Sequence, residues 1–425
     1  MDSRSMADHK LPDPPFSGEA ERAVNLSLDE AEVIRCLFSR GALSRTDLAR
    51  ETRFSRSKVT DLVNQLLARD ILQEIDRAGL DRGKWKNLAI NQSLGYLVGI
   101  DIGTTSVDVG LADCSCSLID RKSAITHVND GPKAVLGRAL QLLFEILQEN
   151  DVEQAQILGI GVGVPGPVSY PSGMVIGGQF TPGWEGFKIQ DFLMAKFPDV
   201  AIMVDNDANL MAVGSHKEGM AQNETDFIFV KVGTGIGSGV YCGGHLFRGS
   251  TSCAGHIGHT CVDFNGPVCR CGNRGCLEAM AGGPAIANAA DAAAEAGESA
   301  ILQSLKKEIG GPLTSVQVGQ AAAMRDRTSQ QIIIQSATLI GRVLAGVINL
   351  YNPSLIVVGG GVSKIGNLFL AEIRREVLKR AYSYTTMGLR IEFSSIVDDV
   401  GVIGAVHFIR DWTFTVDGMN ISAVR

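Results

Sequence analysis

Four metal-compatible side chains follow one another as His259, Cys269, Cys271 and Cys276, a spacing of H-x9-C-x-C-x4-C. Three thiolates and one imidazole complete a closed tetrahedral zinc shell. Any fold of this chain must therefore bring residue 259 and residues 269–276 around one ion. Gly272 and Gly275 let the backbone turn tightly enough for three sulfurs to converge. Cys253, Cys261 and His256 lie nearby but exceed the four ligands of a structural site. Nine cysteines is an odd number, and the N-terminal "MDSRSMADHKLPDPPFSGEAER" has no apolar leader. Metal binding in a cytoplasmic protein is expected, not a disulfide framework. Buried apolar cysteine describes Cys36 or Cys242 better than three cysteines in a Gly-rich, Arg-containing loop.

A length of 425 residues suggests two or three domains. Residues 1–25 are rich in Pro and charge and read as a disordered tail. Residues 26–92 read as three helices and two short strands. "LDEAEVIRCLFSRG" spaces its apolar residues helically, Ser44 with Asp47 resembles a capping box, and Ser55–Ala68 places Val59, Leu62, Val63, Leu66 and Leu67 on one face. "ILQEIDRAGLDRGKWKNLAIN" alternates around a basic loop. Three helices and a two-stranded wing make a winged helix-turn-helix, with Ser55–Ala68 as the recognition helix.

The net charge of −7 hides a local reversal. Between Arg40 and Thr60 stand six Lys or Arg residues, against Asp47 and Glu51. Operator DNA is the expected partner, through Arg45, Ser55, Arg56, Ser57, Lys58, Thr60 and the wing residues Arg82, Lys84 and Lys86. A helical domain with a merely solvated basic face is the plainer alternative. No apolar run reaches the roughly 18–20 residues a membrane helix needs, so no membrane partner is expected.

From residue 93 to 425 strands alternate with helices, which indicates α/β architecture. "VGIDIGTTSVDVGLAD" and "FVKVGTGIGSGVYCGG" each read as a hairpin around a Gly/Thr turn, suggesting two related lobes. Asp101, Gly103, Thr104 and Thr105 in the first turn offer hydroxyls and backbone N–H groups to phosphate oxygens. Gly233, Thr234, Gly235 and Gly237 in the second do the same, with Gly360 in "VVGGGVS" as a third glycine turn. Neither hairpin turn is a P-loop or opens a helix. Singly each is an ordinary turn; three at strand ends suggest a nucleotide cleft, working or inherited. In "DNDANL" Asp207 is placed to take a proton from a substrate hydroxyl, with Asn206 or Asn209 on neighbouring hydroxyls. Plain helix capping explains the same residues.

The motifs "GIDIGTT", "GVPGPV", "NDAN", "GTGIGSG", "AGHIGH", "CRCGNRGCLE" and "IVVGGGVS" occur in this order, and the chain resembles the ROK family of repressors and sugar kinases over about residues 93–410. The segment before them resembles the winged helix of ROK regulators. The resemblance implies an actin-like, two-lobed fold with a sugar between the lobes, and homodimers or higher oligomers. It implies zinc on His259, Cys269, Cys271 and Cys276, in a loop spanning 253–278. Asn206, Asp207, His259 and Glu278 would line the sugar pocket, with Asp207 as base in a kinase. Asp101 and the turns Gly103–Thr105 and Gly233–Gly237 would face magnesium and ATP, if kinase activity is retained. Several positions depart from the family pattern. His256 stands where kinases have glutamate, offering one acceptor nitrogen in place of two oxygens. Phe180 stands at an asparagine position, Ser215 at an acidic one, and Arg53 at the glycine of the helix-turn-helix turn.

The expected function is a sugar-responsive DNA-binding regulator, a repressor of carbohydrate genes, with a sugar or sugar phosphate as effector. An ATP-dependent sugar kinase, alone or combined with regulation, is the alternative. An inert scaffold of the kinase fold is a third reading, in which neither sugar nor nucleotide changes the melting temperature.

Overall fold

The computed structural model describes residues 26–76, 86–177 and 183–414. The expected tail, the wing residues Arg82 and Lys84, and Phe180 lie outside the described residues.

The N-terminal part comprises helices α1 (Leu28–Arg40), α2 (Arg45–Thr52) and α3 (Arg56–Ala68), then an antiparallel ribbon of β1 (Leu72–Asp76) and β2 (Lys86–Ile90). Each helix is capped by a serine. Ser27, Ser44 and Ser55 accept from the backbone N–H of Glu30, Asp47 and Lys58, which satisfies a donor the first turn leaves orphaned. Ser55 is thus the cap of α3, not its first residue. At α1 the box is complete, because Ser27 N donates to Glu30 Oε2 at 2.7 Å. Arg53 closes α2 at φ 59°, a left-handed conformation that costs a non-glycine residue about 1–2 kcal/mol. Val33, Ile34, Leu37, Leu48, Val59, Val63 and Leu66 form the small core.

That core does not close on itself. Cys114 and Phe414 belong to it as well. The Phe38 and Phe414 rings meet edge-on at 5.1 Å, and the Arg410 guanidinium lies 4.3 Å over Phe38.

The remaining chain forms two five-stranded sheets of one topology. In the first, β3 (Tyr96–Ile102), β4 (Ser106–Asp113) and β5 (Leu118–Ile125) form an antiparallel meander. Strand β6 (Ile157–Val164) pairs parallel with β3, a short pair of β7 (Val168–Ser169) and β8 (Met174–Val175) follows, and β9 (Ala201–Asn206) pairs parallel with β6. The second repeats the scheme. Strands β10 (Phe227–Val232), β11 (Ile236–Cys242) and β12 (His245–Phe247) meander, and β13 (Leu355–Gly359) and β14 (Arg390–Phe393) add in parallel. The expected α/β class and paired lobes are both present.

Helices α4 (Pro132–Glu149) and α5 (Ile189–Met194) pack on the first sheet. Helix α6 (Asp207–Lys217) follows β9 directly. Helices α7 (Leu277–Ala281), α8 (Gly283–Glu295), α9 (Ala300–Ile309), α10 (Ser315–Ala323), α11 (Arg327–Tyr351) and α12 (Asn367–Arg380) supply much of the second lobe's core. The last helix, α13 (Val400–Thr413), lies on β3 and β6 while α6 lies on β10 and β11, and the two helices pack against each other between the sheets. Their backbones touch. A Cβ on Gly404 would sit 1.8 Å from the carbonyl oxygen of Leu210, and one on Gly214 2.2 Å from that of Val400.

Among the described helices, α11 is long and apolar enough to cross a membrane by length and composition alone, although Gln335, Ser336, Thr338 and Arg342 break its apolar residues into shorter runs. Its apolar face is spent inside the protein, where Ile333, Ala337, Ile340, Leu344 and Ile348 belong to the second lobe's core.

Candidate effector cleft and metal centre

The hairpin turns of the two lobes face one cavity of about 420 Å³. Its wall includes every residue expected at a nucleotide: Asp101, Gly103, Thr104, Thr105, Gly233, Thr234, Gly235, Gly237 and Gly360. It also includes the five expected at a sugar: Asn206, Asp207, His256, His259 and Glu278. Residues 101 to 360 are gathered here because the β3–β4 and β10–β11 turns occupy equivalent places in matching sheets.

Asn206 caps α6, accepting from Ala208 N and Asn209 N while its Nδ2 donates to Gly166 O at 2.9 Å. The capping explanation and the pocket placement therefore both hold for this residue. Asn209 turns away from the role foreseen for it, donating through Nδ2 to Asp205 Oδ1 at 2.9 Å. Asp205 is buried and takes two further donors from Arg248, at 2.9 and 2.7 Å. Arg248 in turn lies 4.1 Å over the Tyr170 ring. Glu278, on α7, accepts from Ile236 N at 3.0 Å, and a Cβ at Gly235 would meet its carboxylate at 2.8 Å. That glycine is needed so the turn can approach the acid.

Asp207 Oδ1 accepts from Ala208 N at 2.7 Å, and Oδ2 is ion-paired with Lys231. Sequence reasoning missed Lys231. The signal was a lone cation in the otherwise apolar strand "FIFVKV". It also missed Arg121, which reaches Asp108 at 2.6 Å and Asp399 at 2.9 Å.

Burial pushes Asp101 up, Lys231 opposes the rise, and Asp207 and Asp108 add to it, leaving Asp101 at about 7. Between about pH 4 and 7 the unfolded chain gives up a proton that the folded chain keeps, so stability falls as pH rises through that window. Asp101→Asn removes the effect. In magnesium-free buffer its melting temperature relative to the wild type is expected to rise by about 2–4 °C from pH 5 to pH 8. A difference that does not change with pH contradicts this.

The metal-compatible residues are also gathered. The donor atoms of His259, Cys269, Cys271 and Cys276 all lie within 4.8 Å of one another. His259 Nδ1 is 3.7 Å from Cys269 Sγ, and Cys271 Sγ is 3.6 Å from Cys276 Sγ. Zinc–sulfur bonds of about 2.3 Å span tetrahedral edges of about 3.8 Å, so the set fits zinc. Burial and the neighbouring thiols Cys271 and Cys269 push Cys276 up to about 12, and three thiolates need a cation to share this space. His256 stands outside this group and lines the cavity, with its ring centroid 6.3 Å from that of His259. Burial, and then His259, hold His256 below the usual imidazole range against the pull of Asp207. It meets a ligand as a neutral ring.

In the N-terminal part, Arg56, Ser57 and Thr60 stand exposed on α3. Lys58 pairs with Asp29 at 2.8 Å and lies over Phe54. Arg45 and Lys86 converge on Glu74 at 3.0 and 3.2 Å and hold it below the usual carboxylate range. Arg56 makes no ion pair among the described residues.

The model of one family, described as the ROK family, matches residues 97–411. The chain belongs to the ROK family. Among its ROK relatives, the xylose repressor of Caldicellulosiruptor bescii is 27% identical over 385 residues, covering 89% of this chain and 94% of the relative. A solved ROK family transcriptional regulator, a homologue of the E. coli MLC protein, superposes with a TM-score of 0.78 at 22% identity, covering 93% of this chain and 98% of the other. That likeness speaks for the fold. The ROK family glucokinase of Streptomyces griseus, solved with glucose and AMPPNP, is 26% identical with a TM-score of 0.67, covering 74% of this chain and 99% of its own.

Proposed function

We propose that this ROK protein is a DNA-binding transcriptional repressor of carbohydrate genes, released or recruited by a sugar or sugar phosphate in the cleft between its lobes. Residues 26–92 form the DNA-binding domain and residues 93–425 the effector domain. The observation that carries the reading is α13. At its start, Gly401 packs so closely on the cleft residue Asp101 that a Cβ would lie 2.0 Å from the carboxylate, and Asp399 pairs with Arg121. At its end, Arg410 and Phe414 complete the core of the DNA-binding domain. Its 14 residues span about 21 Å. A ligand that binds one lobe arrangement better shifts α13 and, with it, the DNA-competent population. The repressor named among the relatives, covering 89% of this chain, supports the same reading.

Arg56, Ser57, Lys58 and Thr60 on α3 meet base edges and phosphates, with Arg45, Lys86, Arg82 and Lys84 on the flanking backbone. A homodimer presents two such helices to a pseudo-palindromic operator. Zinc on His259, Cys269, Cys271 and Cys276 would hold the loop that brings His256, His259 and Glu278 to the sugar. With four protein ligands it is structural. The protein works in the cytoplasm.

The test is binding to the chain's own promoter region across salt. Affinity is expected to fall by about three orders of magnitude between about 50 and 200 mM salt, and to change again on adding an effector from a panel of sugars and sugar phosphates. Absence of salt-sensitive promoter binding, with and without sugars, ends this reading. A second reading, ATP-dependent hexose phosphorylation, is favoured by the intact glycine turns around the cleft. Hexose-dependent ATP consumption that Asp207→Asn abolishes would establish it.

A further inference from the structure

The ion pair between Lys231 and Asp207 has no part in the coupling described above. Lys231 lies on β10, where Phe227, Ile228, Phe229, Val230 and Val232 are all buried and apolar. Its partners across the sheet are Gly237 on β11 and Gly359 on β13. No side chain flanks it on either neighbouring strand at its own level, and its ammonium crosses to the first residue of α6. A lysine interrupting an apolar strand between two glycines is a built feature, because even its partial burial is favoured by an anionic partner.

The consequence is chemical. A carboxylate that activates a hydroxyl must present an oxygen within hydrogen-bond reach of that proton and then accept it. Each oxygen of Asp207 already accepts one hydrogen bond, Ala208 N on Oδ1 and Lys231 Nζ on Oδ2, so a substrate hydroxyl must share Oδ2 with the ammonium. Accepting a proton would neutralise Asp207 and cost the ammonium its ion-pair partner, leaving it only the pull of Asp101 and Asp108. Burial works to lower Lys231, but the Asp207 and Asp101 carboxylates outweigh it and hold the ammonium above the ordinary lysine range. The cation therefore stays in place.

We propose that Lys231 silences Asp207 as a base, so that the cleft binds a hexose without phosphorylating it. The purpose of this device rests on the regulator reading; its chemistry does not. Lys231 is a positioning residue in this scheme, acting on the ligand through Asp207.

The experiment follows ADP formation by the full-length protein from magnesium-ATP, with D-glucose, D-mannose or N-acetyl-D-glucosamine as acceptor. The wild type is expected to form no ADP above a protein-free control. Lys231→Thr, which removes the cation, is expected to raise hexose-dependent kcat at least ~10-fold over that background, within the range general-base catalysis supplies. Adding Asp207→Asn to Lys231→Thr is expected to abolish the gain, an effect a merely structural role for Lys231 does not predict. Lys231→Met, which keeps most of the apolar stem, provides a second reading should the threonine variant fold poorly. Asp207-dependent turnover by the wild type overturns the proposal. So does silence of both variants with every hexose offered. Failure of promoter binding would remove the regulator reading and leave this result standing on its own.

Discussion

Cys276→Ser is expected to leave the purified protein almost without metal and to lower its melting temperature by about 5–10 °C. Structural zinc sites contribute about 10–16 kcal/mol of apparent binding free energy, so losing one of four ligands costs several kcal/mol. The loss does not stay in the loop. Cys276 is buried and immediately precedes α7, whose Leu277 and Ala281 sit in the second lobe's core and whose Glu278 holds Ile236 N. Unfastening the thiolate loosens the helix that carries a cleft acid. His259→Ala is expected to behave alike, since Nδ1 faces Cys269. His256→Ala is expected to keep the metal and change only the response to sugars. Metal analysis of the three variants separates these outcomes, and zinc lost from His256→Ala would mean the ligand set is misassigned.

Gly404→Ala is expected to destabilise the protein by about 3 kcal/mol or more, at the upper end of overpacking effects. Its added methyl group would stand 1.8 Å from a backbone oxygen of α6 and 3.0 Å from the backbone nitrogen of Gly214. No rotamer change relieves a clash with backbone, so the two helices must separate. Because α6 begins at Asp207 and α13 ends at the core of the N-terminal helices, the separation is also expected, under the proposed regulator function, to weaken the effect of sugar on promoter binding. Gly137→Ala is the control. Gly137 lies in α4 with nothing within 4 Å of an added Cβ, and alanine there is expected to be neutral or to stabilise by about 0.5–1 kcal/mol. Equal effects of the two substitutions in chemical denaturation would refute the backbone-contact argument.

Much of the cleft was legible because its residues sit on turns whose chemistry is local. The Gly/Thr hairpins, the capped start of α6 and the cysteine spacing each carry their meaning within a few positions. What escaped was long-range pairing. Lys231 finds Asp207 across 24 positions, and Arg248 finds Asp205 across 43. Periodicity cannot register either pair, and a lysine in an apolar strand only announces that some anion must exist. Asn209 stands in the sequence as an alternative to Asn206 for neighbouring hydroxyls; the buried Asp205 carboxylate competes for its amide and wins. The role of α13 was hidden for another reason. Its sequence, VGVIGAVHFIRDWT, is apolar almost all round, which signals burial but not among which partners.

Phe38 lies in α1, and Phe414, which covers it, is made 376 positions later, at the end of α13. While the chain is being synthesised, the early helices have their own caps and part of their own core, yet one aromatic face stays bare until α13 emerges. Segments made earlier generally fold first; these helices must wait for α13. A chain interrupted before residue 400 would leave the ribosome with that face still uncovered.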